Sequence, residues 1–124
     1  MVDKKWLKRQ AEKVRKVDYI DPALYRKYGV KRGLRNDNGT GVLVGLTTIG
    51  NVHGYVMNEG EKQPIPGELY YRGINVKDIV AADKREHRFG YEETAYLLLF
   101  GELPTAKELV DWKNKIGAYR KLSD

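Results

Sequence analysis

The segment Tyr91-Glu92-Glu93-Thr94-Ala95-Tyr96-Leu97-Leu98-Leu99-Phe100 constrains this chain more than any other. It reads as a helix, and from Ala95 to Phe100 every residue is apolar. A helix that is hydrophobic on nearly every side needs neighbours on nearly every side. The run is far shorter than the ~20 residues that cross a bilayer, so it is a core element and not a membrane span. Glu92 and Glu93 open it, where negative charge offsets the helix macrodipole. Gly101 closes it, supplying the left-handed residue that often follows a helix.

Other helices are predicted on both sides. Asn75 can cap a helix carrying Val76, Ile79 and Val80, with Asp78 in its first turn. Asp83–Gly90 reads as a charged loop. Thr105-Ala106-Lys107-Glu108 is a capping box, in which hydroxyl and carboxylate satisfy each other's backbone amides. Leu109, Trp112, Ile116 and Tyr119 give the following helix its buried stripe. Near the start, Lys4–Val17 is an amphipathic helix with Trp6, Leu7, Ala11, Val14 and Val17 on one face and basic residues on the others. Asp21-Pro22 breaks it, because proline restricts its predecessor. A short helical turn through Leu24-Tyr25 follows.

Between these helical regions glycine recurs from Gly33 to Gly73. Val42–Ile49 is rich in β-branched residues and reads as a strand. Gly50-Asn51 suits a two-residue turn, with Val52–Met57 returning. Asn58-Glu59-Gly60-Glu61 is a second turn. Pro64 and Pro66 keep the next stretch extended and irregular, and Leu69-Tyr70-Tyr71 forms a short third strand. The fold class is therefore mainly α with a small antiparallel β-hairpin element. Three regions result: a basic helical N-terminal arm over 1–35, a glycine-rich β-hairpin region over 36–74, and a helical region over 75–124.

Composition removes much familiar chemistry. The 124 residues include no cysteine and two histidines, His53 and His87. Disulfides, thiol nucleophiles and the usual structural zinc sites are excluded. Neither histidine has an evident partner in sequence, and both read as solvated surface positions. Gly39-Thr40-Gly41-Val42-Leu43-Val44-Gly45 has neither the spacing nor the following helix of a phosphate loop. No metal or tightly bound cofactor is expected. The start, Met1-Val2-Asp3-Lys4-Lys5-Trp6, lacks the basic-then-apolar pattern of a secretory signal, so cytoplasm is the expected compartment.

Three segments in series resemble the citrate synthase family. Gly67-Glu68-Leu69-Tyr70-Tyr71-Arg72-Gly73-Ile74-Asn75-Val76-Lys77-Asp78-Ile79 is similar to its Y-R-G segment. Phe89–Thr105 is similar to its F-E-E-x-A-Y-L-L helix and the G-x-L-P-T exit, and Gly39–Ile49 resembles the preceding hairpin. The likeness is greatest to clostridial-type bacterial members, with Asn58–Gly67 as an insert. It implies the helical N-terminal region of the citrate synthase-like fold. It also implies a longer parent that condenses acetyl-CoA with oxaloacetate to citrate and CoA, as a homodimer or larger assembly. The 2-methylcitrate synthases share this region. The family's two catalytic histidines and aspartate lie beyond the matched segments, so no catalytic residue is assigned and this chain alone is expected to be inactive. Arg35, just before the glycine-rich stretch, is the nearest match to a family arginine that approaches a CoA phosphate.

Charge supplies the competing reading. The net charge is +6. Residues 1–35 carry a net +8 and residues 36–124 a net −2, so the basicity belongs to the arm. On that reading the chain is a non-catalytic module whose basic arm grips an acidic partner or nucleic-acid phosphates, but Trp6 is the arm's lone tryptophan and sits on the apolar stripe. No membrane or nucleic-acid partner is expected. A titration of labelled duplex DNA should show no binding at moderate salt; affinity falling steeply with salt would assign the arm to nucleic acid.

Overall fold

Helix α1, Lys4–Val17, begins where Asp3 accepts a hydrogen bond from the Trp6 amide at 3.0 Å. Arg15 and Lys16 lie in its last turn, where positive charge suits the macrodipole. The structure is a computed structural model and describes residues 3–30 and 41–120. The chain divides into two units, Met1–Thr48 and Ile49–Asp124. In the first, Asp21 caps α2, Pro22–Lys27, by accepting from the Ala23 amide at 2.9 Å. Pro22 stands in the first turn, where a missing amide hydrogen costs nothing. At the other end Gly29, with φ 59°, lets the amides of Gly29 and Val30 reach the carbonyls of Arg26 and Tyr25. The Thr48 hydroxyl donates to the Val17 carbonyl at 3.3 Å, returning the chain to the end of α1.

The second unit begins with strand β1, Gly50–Asn58, which pairs antiparallel with β2, Glu61–Tyr71. A two-residue strand, β3, Ile74–Asn75, pairs with the end of β2, so the sheet order is β1-β2-β3. This corrects three expectations. Residues 42–49 form no strand. Gly50 starts β1 opposite Tyr71 instead of turning the chain. Leu69-Tyr70-Tyr71 ends the long β2 and is not a separate strand.

The reason lies in the turns. A two-residue hairpin loop of the type I′ class needs positive φ at both positions. Glu59 and Gly60 supply it (49° and 86°), as do Arg72 and Gly73 (49° and 85°). Residues 52–58 therefore pair with 61–69, and the β-branched run before them lies outside the sheet. Pro64 is accommodated opposite Tyr55, and Pro66 falls in the register shift between the His53–Glu68 and Tyr55–Pro64 pairs.

Three helices follow. Asn75 caps α3, Val76–Arg85, through the Lys77 amide at 2.9 Å, as expected. The helix runs further than predicted, shortening the charged loop to 86–90. Gly101, at φ 82°, ends α4, Tyr91–Phe100, and its amide donates to the Leu97 carbonyl at 2.9 Å. Thr105 and Glu108 form the capping box of α5, Ala106–Ala118. Leu109, Trp112 and Ile116 are half-buried, but Tyr119 stands past the last turn as the C-cap residue and is exposed.

Among the described residues the buried apolar side chains are all on α4: Tyr96, Leu97 and Phe100. Trp112 of α5 meets two of them edge-on, at 6.0 Å from the Tyr96 ring and 5.5 Å from the Phe100 ring. Its indole N–H donates to the Glu92 carbonyl at 2.9 Å. The base of the sheet grips the other end of α4. Arg72 Nε and Nη2 both donate to the Leu98 carbonyl, at 3.1 and 2.7 Å, satisfying one of the carbonyls that a helix end leaves open.

Leu97 is 0% exposed and Val110, on the outer side of α5, is 60% exposed. Leu97→Ala should cost about 3 kcal/mol, as a cavity in a core does. Val110→Ala should stay within about 0.5 kcal/mol. Urea unfolding followed by circular dichroism measures both; equal losses would remove Leu97 from the core.

Candidate functional site

The densest chemistry in the second unit gathers where α3 hands over to α4. Asp83 ends on the last turn of α3, Glu86 caps it, Arg88 lies in the loop and Glu93 in the first turn of α4. Arg88 Nε donates to Glu86 Oε2 at 2.7 Å, its Nη1 lies 2.7 Å from Asp83 Oδ1, and the same nitrogen donates to Glu93. Glu86 holds the guanidinium pKa above its ordinary value, with Glu93 and Asp83 adding to the effect. In return Arg88 holds the Glu86 carboxyl below the usual carboxylate range. One cation is thus surrounded by three carboxylates. It staples the loop and has no lone charge to offer an incoming anion.

Next to this staple is a cavity of about 180 Å³. Ile74, Ile79, Ala82 and Leu103 form its apolar wall, with Arg88 and Glu93 at its charged side.

A second ion pair fixes α5. Arg120 Nη2 donates to Glu92 Oε1 at 2.6 Å and holds that carboxyl below its ordinary value. The two glutamates that open α4 are therefore committed to different arginines, as well as lying at the positive end of the helix.

The histidines are apart from this cluster. His53, on β1, has its Nε2 2.9 Å from the Asn51 amide nitrogen and meets the Tyr70 ring edge-on at 5.8 Å. Glu68, its cross-strand neighbour, accepts from the Tyr70 hydroxyl at 2.7 Å, which raises the Tyr70 pKa. His87 is exposed in the loop after α3, with φ 50°. Among the described residues no group of three or more His, Asp or Glu could hold a metal ion, and no helix is long and apolar enough to cross a membrane. Gly41–Gly45 leads towards β1, and no helix follows it before α3. Arg35 lies outside the described residues.

Sequence reasoning missed the roles of Arg72, Arg88 and Arg120. Arg88 and Glu93 are five residues apart across a loop, and Arg120 and Glu92 are 28 apart. Neither is a helical i, i+4 spacing, so no local pattern announced them.

The second unit is a mainly helical fold with a small antiparallel sheet, in which Arg88 and Arg120 are paired with carboxylates. Comparison with known proteins gives that fold its family. The family model described as "Citrate synthase, C-terminal domain" matches residues 33–124. This chain belongs to the citrate synthase family. It is 40% identical over 88 residues to a citrate synthase of Saccharolobus solfataricus, covering 70% of this chain and 18% of that protein. It is 43% identical over 54 residues to a 2-methylcitrate synthase of Shewanella oneidensis, covering 44% and 13%. It is 36% identical over 56 residues to a citrate synthase-related protein of Dictyostelium discoideum, covering 45% and 12%. The chain thus matches less than a fifth of the length of each of these relatives. No solved structure matches it.

The Glu92–Arg120 pair gives a pH test. A carboxyl whose folded pKa lies below its unfolded value stabilises the fold above the unfolded value, about 4.5 here. That contribution disappears as the pH falls through the lower, folded value. Glu92→Gln should therefore lower Tm at neutral pH and flatten its decline on acidification. Parallel Tm–pH curves for the two proteins would show that Glu92 contributes nothing by its charge.

Proposed function

We propose that this chain is the N-terminal portion of a citrate synthase whose whole protein condenses acetyl-CoA with oxaloacetate and water to give citrate and free CoA. The family match over residues 33–124 carries the reading. The reaction needs a base beside the weakly acidic methyl group of the thioester and donors at the developing enolate. The described residues support a non-catalytic role for this portion. His53 and His87 stand apart, and the carboxylates of Glu86, Glu92 and Glu93 are engaged by arginines. The chemistry is then supplied by the rest of the enzyme, and this portion contributes wall, hairpin and packing surface.

On this reading the partner is the remainder of the enzyme, assembled as a homodimer or larger in the cytoplasm. No cofactor is tightly bound, and acetyl-CoA is a substrate. Arg35 contacts a CoA phosphate, for which a guanidinium offers two parallel donors. The second reading, a 2-methylcitrate synthase, is favoured by the relative from Shewanella oneidensis that carries that name. Relative kcat/KM for propionyl-CoA and acetyl-CoA on the whole enzyme separates the two.

Incubation of the 124-residue chain with acetyl-CoA and oxaloacetate should release no thiol above the blank. Turnover would overturn the assignment of this portion as non-catalytic. In the whole enzyme, Arg35→Ala should raise KM for acetyl-CoA by about tenfold with kcat little changed, the loss of one charge-assisted phosphate contact. An unchanged KM would remove the arginine from the CoA site.

A further inference from the structure

Helix α1 sorts its side chains into two faces. Trp6, Leu7, Ala11, Val14 and Val17 fall along one stripe at helical spacing. No residue of the helix is buried, and Leu7 stays 45% exposed. The remaining surface is basic, with seven Lys and Arg against one acid, Glu12. By the helical period, Lys4, Lys8 and Arg15 follow one border of the stripe, and Arg9 and Lys13 follow the other.

This charge pattern does not serve the helix itself. Lys4 and Lys5 sit in the first turn, which holds no acidic residue, at the positive end of the macrodipole. Lys4 and Lys8, Lys5 and Arg9, and Arg9 and Lys13 stand four residues apart, where like charges weaken a helix. An anionic surface outside the helix offsets both effects. Duplex nucleic acid matches the charge but gives no role to an apolar stripe with cations on both borders. A bilayer surface matches both features. The stripe enters the boundary between headgroups and acyl chains, while Lys and Arg stems run along it and place their charges at the headgroups. The lack of a bilayer-crossing run, which underlies the expectation of no membrane partner, sets no limit on a helix lying in the surface plane.

We propose that α1 is a surface-binding helix for anionic phospholipid, lying flat on the bilayer with Leu7 and Val14 inward and its basic borders on the headgroups. The proposal does not depend on the enzymatic reading above.

Flotation of the 124-residue chain with lipid vesicles tests it. The chain should float with vesicles of phosphatidylglycerol and phosphatidylcholine in equal parts, and stay behind with phosphatidylcholine alone. Lys4→Gln, Lys8→Gln and Arg15→Gln combined should weaken binding about 100-fold, because each cation at an anionic leaflet contributes about fivefold. Leu7→Gln should weaken it about tenfold, the share of one apolar side chain entering the boundary. These positions are all exposed, and far-UV circular dichroism checks that the variants keep their helices. A chain that does not float, that floats equally with both vesicles, or whose affinity ignores Leu7→Gln overturns the proposal. So does tighter binding to duplex DNA that Leu7→Gln leaves unchanged, which assigns the arm to nucleic acid. The whole enzyme should float as well; if it stays behind where this chain floats, protein covers the stripe and the proposal falls.

Discussion

Among the described residues of the second unit, the buried apolar side chains all lie on one short helix, α4. Leu97 is its fully buried side chain, and Tyr96 and Phe100 close around it against Trp112. The helix is held at both ends by arginines from outside it. Arg72 takes the Leu98 carbonyl near the C-terminus, and Arg88 and Arg120 take the carboxylates of Glu93 and Glu92 near the N-terminus. A core of three buried residues is small for a unit of this size, and the margin of a small domain is thin in any case. Apolar side chains remain exposed on and beside α4, among them Tyr91, Leu99, Leu103 and Val110.

The charged residues around α4 are engaged with one another. A guanidinium ringed by Asp83, Glu86 and Glu93 is neutralised in place, and a carboxylate held by Arg120 stays ionised and engaged. Groups used in this way keep loops and helix ends fixed, at the cost of being unavailable as acids, bases or anion clamps. The chain belongs to the citrate synthase family, and within its second unit these pairings fix the ends of α4.

Helices were legible because their signals are local. Asn75, Gly101 and the Thr105–Glu108 box act within one turn of themselves, and each does what its residue type does elsewhere. Strands were less legible because a strand exists only with its partner. Val42–Ile49 has the composition of a strand, but the pairing was decided at Glu59-Gly60 and Arg72-Gly73, whose positive φ angles set the register of the whole sheet. Pro64 argued for irregular chain and was absorbed opposite Tyr55. The ion pairs around α4 were the least legible, since each crosses a loop and none follows a helical period. Arg35 was singled out from sequence but lies outside the described residues.

By itself the sequence determined the class of the fold, the caps and stops of its helices, the absence of thiol chemistry, and its family likeness. All of these follow from residue type and short-range spacing, which act before the chain is compact. Only the tertiary structure decided which glycine-containing pair turns the hairpin and which arginine meets which carboxylate. Those outcomes depend on which backbone and side-chain groups meet once the chain is folded, and residue type and short-range spacing do not specify that.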